Sequence, residues 1–278
     1  MASDPAAPPV TGTQRIAAAF ERAREKGRAA LMPYLMGGFP SQETATAVAE
    51  AYVDAGADLV ELGVPFSDPL ADGPVIHAAA TTALAGGATL DSVLETCAAI
   101  ADRVPVVPMC YSNMVLASGP REYAERLAGA GAAGTIVPDL PPEEAAGVHE
   151  ELRRRDLALV PLVAPTTPPE RRRSICERAE GFVYVVSVAG VTGERAELPP
   201  ELGELVVAVR AEAAVPAAVG FGVGTPEQVA TVGGLADGVI VGTRLVRAVG
   251  EAGEPASAAA AVASFIRDSL AAIGNRNG

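Results

Sequence analysis

Eight short runs of Val, Ile, Leu and Ala alternate with helical segments along almost the whole chain, and this alternation constrains the fold most. The runs are Ala30 to Met36, Leu59 to Val64, Pro105 to Cys110, Gly134 to Pro138, Leu157 to Val163, Phe182 to Ser187, Val215 to Phe221 and Gly238 to Val241. Strands this apolar are buried on both faces, which is the mark of a parallel sheet. Eight such repeats in 278 residues point to a (β/α)8 barrel. An open doubly wound sheet is the alternative, but no glycine-rich dinucleotide fingerprint follows the first run.

The segments between the runs carry helix signals. Thr13 reads as the cap of an extra N-terminal helix, with Ile16, Phe20 and Ala23 on one face. Ser41 caps a helix with Ala45, Val48, Ala49, Tyr52 and Val53 at helical spacing. Further helices read from Pro74 to Leu84, around Leu90 to Cys97, Pro120 to Ala130, Pro142 to Arg155, Thr167 to Ala179, Pro200 to Glu212 and Thr225 to Gly233. A short helix, Gly242 to Val249, follows the eighth strand, and Ser257 to Ile273 is the last. No break in composition marks a second domain. The chain therefore reads as a disordered tail, 1–12, and a single barrel domain, 13–278.

Composition narrows the function. A net charge of −13 argues against nucleic acid, whose phosphates are bound by basic faces. Cys97, Cys110 and Cys176 have neither metal spacing nor an even count, and read as reduced core residues of a cytoplasmic protein. The N-terminus lacks the basic and apolar regions of a signal peptide, and no run is long enough for a membrane span.

In a barrel the strand C-termini and the loops after them form the active face. Glu61, Tyr111, Asp139 and Tyr184 lie near such ends. Alternation sorts Val60, Leu62 and Val64 to one side and Leu59, Glu61 and Gly63 to the other. A carboxylate in mid-strand is expensive to bury without partners, so Glu61 is either half of an internal ion pair or an acid/base. Asp72 lies eleven residues on, before Gly73-Pro74, and is either a second carboxylate in the cleft or a helix cap. Tyr184 reads equally as core. Gly220-Phe-Gly-Val-Gly-Thr-Pro226 follows the seventh strand and opens a helix, and Gly242-Thr243 does the same after the eighth. Helix-start amides with nearby glycines suit a phosphate, although glycines also simply make turns. Arg171-Arg-Arg173 reads as a solvated helix face, and His77 and His149 as isolated residues without a ligating role. Ala189 to Leu198, a long late loop, is a lid or a connector.

Glu61-Leu-Gly-Val-Pro-Phe-Ser-Asp-Pro-Leu-Ala-Asp-Gly-Pro74 resembles the signature of the tryptophan synthase alpha chain. So do Pro33-Tyr34, Val137-Pro-Asp-Leu-Pro141, Ala164-Pro-Thr-Thr167, Gly190-Val-Thr-Gly193, Gly220-Phe-Gly222 and Gly238-Val-Ile-Val-Gly242, in family order from about Thr13 to Ile273. The resemblance implies a lyase that cleaves indole-3-glycerol phosphate by a retro-aldol reaction to indole and glyceraldehyde 3-phosphate. It implies acid/base work for Glu61, a contact of Asp72 with the indole N–H, and Tyr184 beside the glycerol. Tyr34 and Met109 match positions around the indole, and Gly193, Phe221, Gly222, Gly242 and Thr243 match the phosphate site. Pro65, Phe66, Asp68 and Asn113 lie near positions that face a partner, the beta chain, in an alpha2beta2 tetramer. No metal and no cofactor are implied for this chain; pyridoxal phosphate is expected in the beta chain. The sequence departs from the family pattern at Phe39, in the run Met109 to Asn113, at Val188, where arginine is common, and at Gly224, where serine is common. Two rival readings share the motif: a stand-alone lyase releasing free indole, and a weakly catalytic subunit that activates a partner. A related phosphosugar barrel is a fourth, disfavoured by the loop from Glu61 to Asp72.

Overall fold

The computed structural model describes residues 10–70, 72–186, 200–220 and 222–274. The chain runs α1 (Gly12–Glu25), β1 (Ala30–Met36), α2 (Gln42–Asp54), β2 (Val60–Gly63), α3 (Pro74–Ala85), α4 (Leu90–Ile100), β3 (Val106–Met109), α5 (Ser112–Ser118), α6 (Pro120–Gly129) and β4 (Gly134–Ile136). It continues α7 (Ala146–Arg153), β5 (Ala158–Val160), β6 (Leu162–Val163), α8 (Pro169–Glu177), β7 (Val183–Val186), α9 (Leu202–Glu212), β8 (Ala217–Gly220), α10 (Pro226–Gly233), β9 (Gly238–Val241), α11 (Thr243–Ala252) and α12 (Pro255–Gly274).

All strand pairs are parallel, and the order β5-β4-β3-β2-β1-β9-β8-β7-β6 runs around a nearly closed barrel. The fifth strand of the sequence reading, Leu157 to Val163, is two strands. Pro161 has no N–H to give a ladder, so pairing stops there. The first half, β5, pairs with β4, and the second half, β6, pairs with β7. The Tyr184 amide still donates to the Pro161 carbonyl at 2.9 Å. One kinked strand thus spans the seam of the barrel.

The two faces of the strands feed two cores. Val60, Leu62 and Val64 turn outward with Leu31, Leu35, Val106 and Val185 against the helices. Ala30, Met32, Leu59, Val107, Ile136, Val160, Phe182, Tyr184 and Ile240 fill the inside. The same inner core contains Ile16, Ala19, Phe20 and Ala23 of α1, so that helix plugs the end of the barrel opposite the active face. Phe20 meets Phe182 at 5.8 Å between ring centroids. A buried aromatic of this kind contributes about 1.5–3 kcal/mol.

The start of α1 corrects the sequence reading. Thr11 caps it, not Thr13, in a capping box with Gln14, worth about 1 kcal/mol. The Gly12 amide donates to the Asp156 carbonyl at 2.7 Å, so residues 11 and 12 belong to the folded domain. α5 was not expected at all. α7 starts at Ala146 after a turn through Pro142, and α9 starts at Leu202.

Arg172 is no solvated cation: it holds Glu212 through two bonds at 2.8 and 2.9 Å, and Arg173 also reaches Glu212. Arg171 pairs with Glu143. The three cysteines are free and buried. α12 is long and apolar enough to cross a membrane by length and mean hydropathy. Here it lies against α2, α10 and α11, burying Ala258, Val262, Ile266 and Ile273.

Candidate active site

Glu61 projects into the barrel from the middle of β2, level with Tyr34 on β1 and Val107 on β3. It is 1% exposed. Its Oε2 has no hydrogen-bond partner among the described residues, and no ion pair involves it there. Burial, and then the nearby charge of Asp72, push its carboxyl up to about 8. The group therefore holds its proton at neutral pH and sits where it can give that proton up.

Asp72 comes from the loop between β2 and α3. It does not cap α3: Gly73 occupies the cap position and no side-chain cap bond is present. Instead its Oδ1 accepts from the Tyr111 hydroxyl at 3.1 Å. Partial burial raises its carboxyl, while the Tyr111 bond and the His77 side chain act the other way. His77 is thus near the site electrostatically, although nothing makes it a ligand.

Two tyrosines stand beside Glu61. Burial, with the charges of Asp72 and Glu61, raises Tyr34 well above the usual phenol range. Burial, with Glu61 and Tyr34, does the same to Tyr184. Each ring passes over a glycine of the neighbouring strand. A Cβ on Gly63 would lie 2.0 Å from the Tyr34 oxygen, and one on Gly220 would lie 2.2 Å from the Tyr184 oxygen. Any larger residue there would displace the ring. Met109, half-buried at the end of β3 beside Gly63, completes an apolar wall.

The glycine loops lie at the ends of β8 and β9. Gly222 has φ +81°, which glycine adopts without strain. Thr225 caps α10 by accepting from the Gln228 amide, and the Gln228 side-chain oxygen accepts from the Gly224 amide at 2.8 Å. α11 differs: Gly242 is its cap residue and gives it no side-chain cap bond. Thr243, 9% exposed, starts that helix. Uncapped amides at such a start suit an anion. Gly193, Phe221 and Val188, and the loop from Ala189 to Leu198, lie outside the described residues.

Of the expected partner-facing residues, Pro65 is buried, Asp68 and Asn113 are exposed, and Phe66 is half-buried. Phe66 stacks on Tyr111, with ring centroids 5.1 Å apart. Asp139, expected at the active face, accepts from both the amide and the hydroxyl of Ser112 at the start of α5. Sequence reasoning placed Tyr111 and Asp139 at the mouth but missed these bonds. The signal was Tyr111-Ser112, a polar helix start just past a strand end. No group of His, Cys, Asp and Glu suited to a metal ion occurs among the described residues.

A parallel barrel with a protonated, buried glutamate on one strand, and a second carboxylate on the loop after it, belongs with the barrel enzymes that work by acid/base chemistry. The family model described as tryptophan synthase alpha chain matches residues 20–273. The tryptophan synthase alpha chain of Roseiflexus castenholzii is 46% identical over 256 residues, covering 91% of this chain and 98% of that one. That of Synechococcus sp. (strain CC9902) is 48% identical, covering 85% and 89%. Among solved structures, Mycobacterium tuberculosis tryptophan synthase matches with a TM-score of 0.86 at 38% identity, over 93% of this chain and 98% of that one. The alpha subunit of tryptophan synthase from Legionella pneumophila matches with a TM-score of 0.85 at 37% identity, over 94% and 98%. This chain belongs to the tryptophan synthase alpha chain family. It is a lyase of tryptophan biosynthesis, acting on indole-3-glycerol phosphate by retro-aldol cleavage, and its family implies a beta-chain partner.

Proposed function

We propose that Glu61 is both the acid and the base of the alpha reaction, with Asp72 answering the charge that develops on the indole nitrogen. The observation that carries this is the buried Glu61 carboxyl, its Oε2 without a partner among the described residues, held up to about 8. In its neutral form it donates a proton to indole C3, and the ring nitrogen gains positive charge. Asp72, ionised, accepts the indole N–H and stabilises that charge. The bond between C3 and the glycerol side chain then breaks. Its electrons return to the ring, and indole leaves as an aromatic molecule. The proton of the adjacent glycerol hydroxyl passes to the Glu61 carboxylate as the aldehyde forms, which restores the acid. A positioned group with a displaced pKa contributes about 10²–10⁴-fold to such a step.

Tyr184 orients the glycerol from the opposite wall, while Tyr34 and Met109 flank the indole. Gly222, Gly242 and Thr243, together with Gly193 and Phe221, form the phosphate site, in which backbone amides take the place of basic side chains. Phe66, Asp68 and Asn113 belong to the surface that docks the beta chain, and Pro65, itself buried, leads the chain into it, in an alpha2beta2 assembly whose pyridoxal phosphate sits in the partner. The protein works in the cytoplasm.

Indole release from indole-3-glycerol phosphate tests this, with the chain alone and with a matched beta chain, for the native sequence and Glu61→Gln. Low activity that rises with the beta chain and disappears in Glu61→Gln is the expected result. Full activity without a partner would make this a stand-alone lyase. A folded chain inactive in both settings would leave only a partner-activating role.

A further inference from the structure

Three loops of the active face are joined in one hydrogen-bonded chain. Asp72 stands in the loop after β2, Tyr111 in the loop after β3 with Ser112 opening α5, and Asp139 in the loop after β4. The Ser112 amide donates to Asp139 Oδ1 at 2.8 Å, and the Ser112 hydroxyl donates to Oδ2 at 2.7 Å. Both carboxylate oxygens are engaged, so the contact fixes orientation as well as distance. It falls on the residue directly after Tyr111. The Tyr111 ring is 4% exposed and stacks on Phe66 with an interplanar angle of 25°. Its backbone is therefore held on one side and its ring on another, and its hydroxyl is left on Asp72 Oδ1.

We propose that Asp139 is a positioning residue for the alpha reaction: through Ser112 it sets the place of Tyr111, whose hydroxyl keeps the Asp72 carboxylate aimed at the barrel mouth. This rests on the reading that Asp72 meets the indole N–H. Within the loop carrying Asp72, Ser67, Asp68 and Leu70 are exposed, and the Tyr111 hydroxyl meets Asp72 itself. Asp139 reaches Ser112 from 27 residues away. Its loss would loosen the start of α5, leaving the Tyr111 backbone held by the Met114 amide on its carbonyl. The groups that act on Asp72 are the Tyr111 hydroxyl and His77 of α3, and the charge of Asp72 in turn acts on Glu61 of β2 and Tyr34 of β1. Of these, the Tyr111 hydroxyl bonds the ionised carboxylate directly and favours that form.

The experiment follows kcat/KM for indole formation against pH in Asp139→Ala, Asp139→Asn, Ser112→Ala, Tyr111→Phe, Asp72→Asn and the Asp139→Ala/Tyr111→Phe pair. Asp139→Ala is expected to lower kcat/KM by about tenfold and to move the acid limb to higher pH, as Tyr111→Phe does. Asp139→Asn keeps an oxygen for the Ser112 amide and should recover most of the loss. On the Tyr111→Phe background, Asp139→Ala should add little, because both act through one hydroxyl. Equal losses on both backgrounds, or an unmoved acid limb, would overturn the proposal. Should Asp139→Ala fail to fold, Ser112→Ala decides by the same limb. Full activity in Asp72→Asn would remove the reading of Asp72 and this inference together. An inactive Asp72→Asn with a native-like Asp139→Ala would remove this inference alone.

Discussion

Glu61→Gln should remove catalysis and, above neutral pH, make the protein more stable. The folded chain raises the Glu61 carboxyl from an ordinary 4.5 to about 8, because the side chain is buried and Asp72 lies near. A raised acid opposes folding where the unfolded chain is ionised and the folded chain is not. Between 4.5 and about 8 the folded form binds the extra proton, so stability falls as pH rises through that window. Below it this group costs nothing, and above it the cost is complete. At about 1.4 kcal/mol per pH unit, the full cost reaches about 5 kcal/mol as an upper figure. Relaxation and water entry around the carboxylate bring the expected value to about 2–5 kcal/mol. Glutamine keeps the shape, does not titrate, and carries only a cost independent of pH for its buried amide. Thermal unfolding of both proteins followed by circular dichroism near pH 5 and near pH 9 reads the difference. The native protein should lose roughly 4–20 °C more than Glu61→Gln between those pH values, given about 2–4 °C per kcal/mol for chains of this size. Melting temperatures that move in parallel would refute the account of Glu61 as a buried, neutral acid.

Gly220→Ala should drive a methyl group to 2.2 Å from the Tyr184 oxygen. That overpacking costs about 1–3 kcal/mol of stability, and the displaced tyrosine should lower kcat/KM by about 10–100-fold; native kinetics would show that Tyr184 has no positional role. Arg28→Ala should leave the Asp58 carboxylate buried without its two-point partner, as both side chains are 8% exposed and bonded at 2.6 and 2.9 Å. Urea unfolding should show a loss of about 3–5 kcal/mol, and a loss below about 1 kcal/mol would refute the pairing as a structural tie.

Periodicity carried the barrel. Leu59, Glu61 and Gly63 fall opposite Val60, Leu62 and Val64 in the sequence, and the folded chain puts Leu59 in the inner core and Val60, Leu62 and Val64 in the outer one. What local pattern could not carry is where two strand halves pair differently. Pro161 was visible, but only barrel closure makes its two sides serve β4 and β7 separately. α5 was missed for a related reason. Its first amide and hydroxyl are held by Asp139, a residue from another loop, so no local cap announces it. The Thr11 cap was missed because Thr13 offered the same chemistry two residues later; the bond from Gly12 to Asp156 selects between them.

The sequence by itself determined the number of repeats, the two faces of the strand that carries Glu61 and the types of residue at the active face. These follow from a period of two in strands, a period near 3.6 in helices, and the steric needs of glycine and proline. Only the tertiary structure decided that Glu61 Oε2 is without a partner among the described residues, that Asp72 takes the Tyr111 hydroxyl rather than capping α3, and that Tyr34 and Tyr184 cross Gly63 and Gly220. Each of these depends on which other side chains close around a group. A carboxyl becomes an acid at neutral pH when the surrounding protein excludes water and supplies no counter-charge, and that condition is set by residues far apart in the chain.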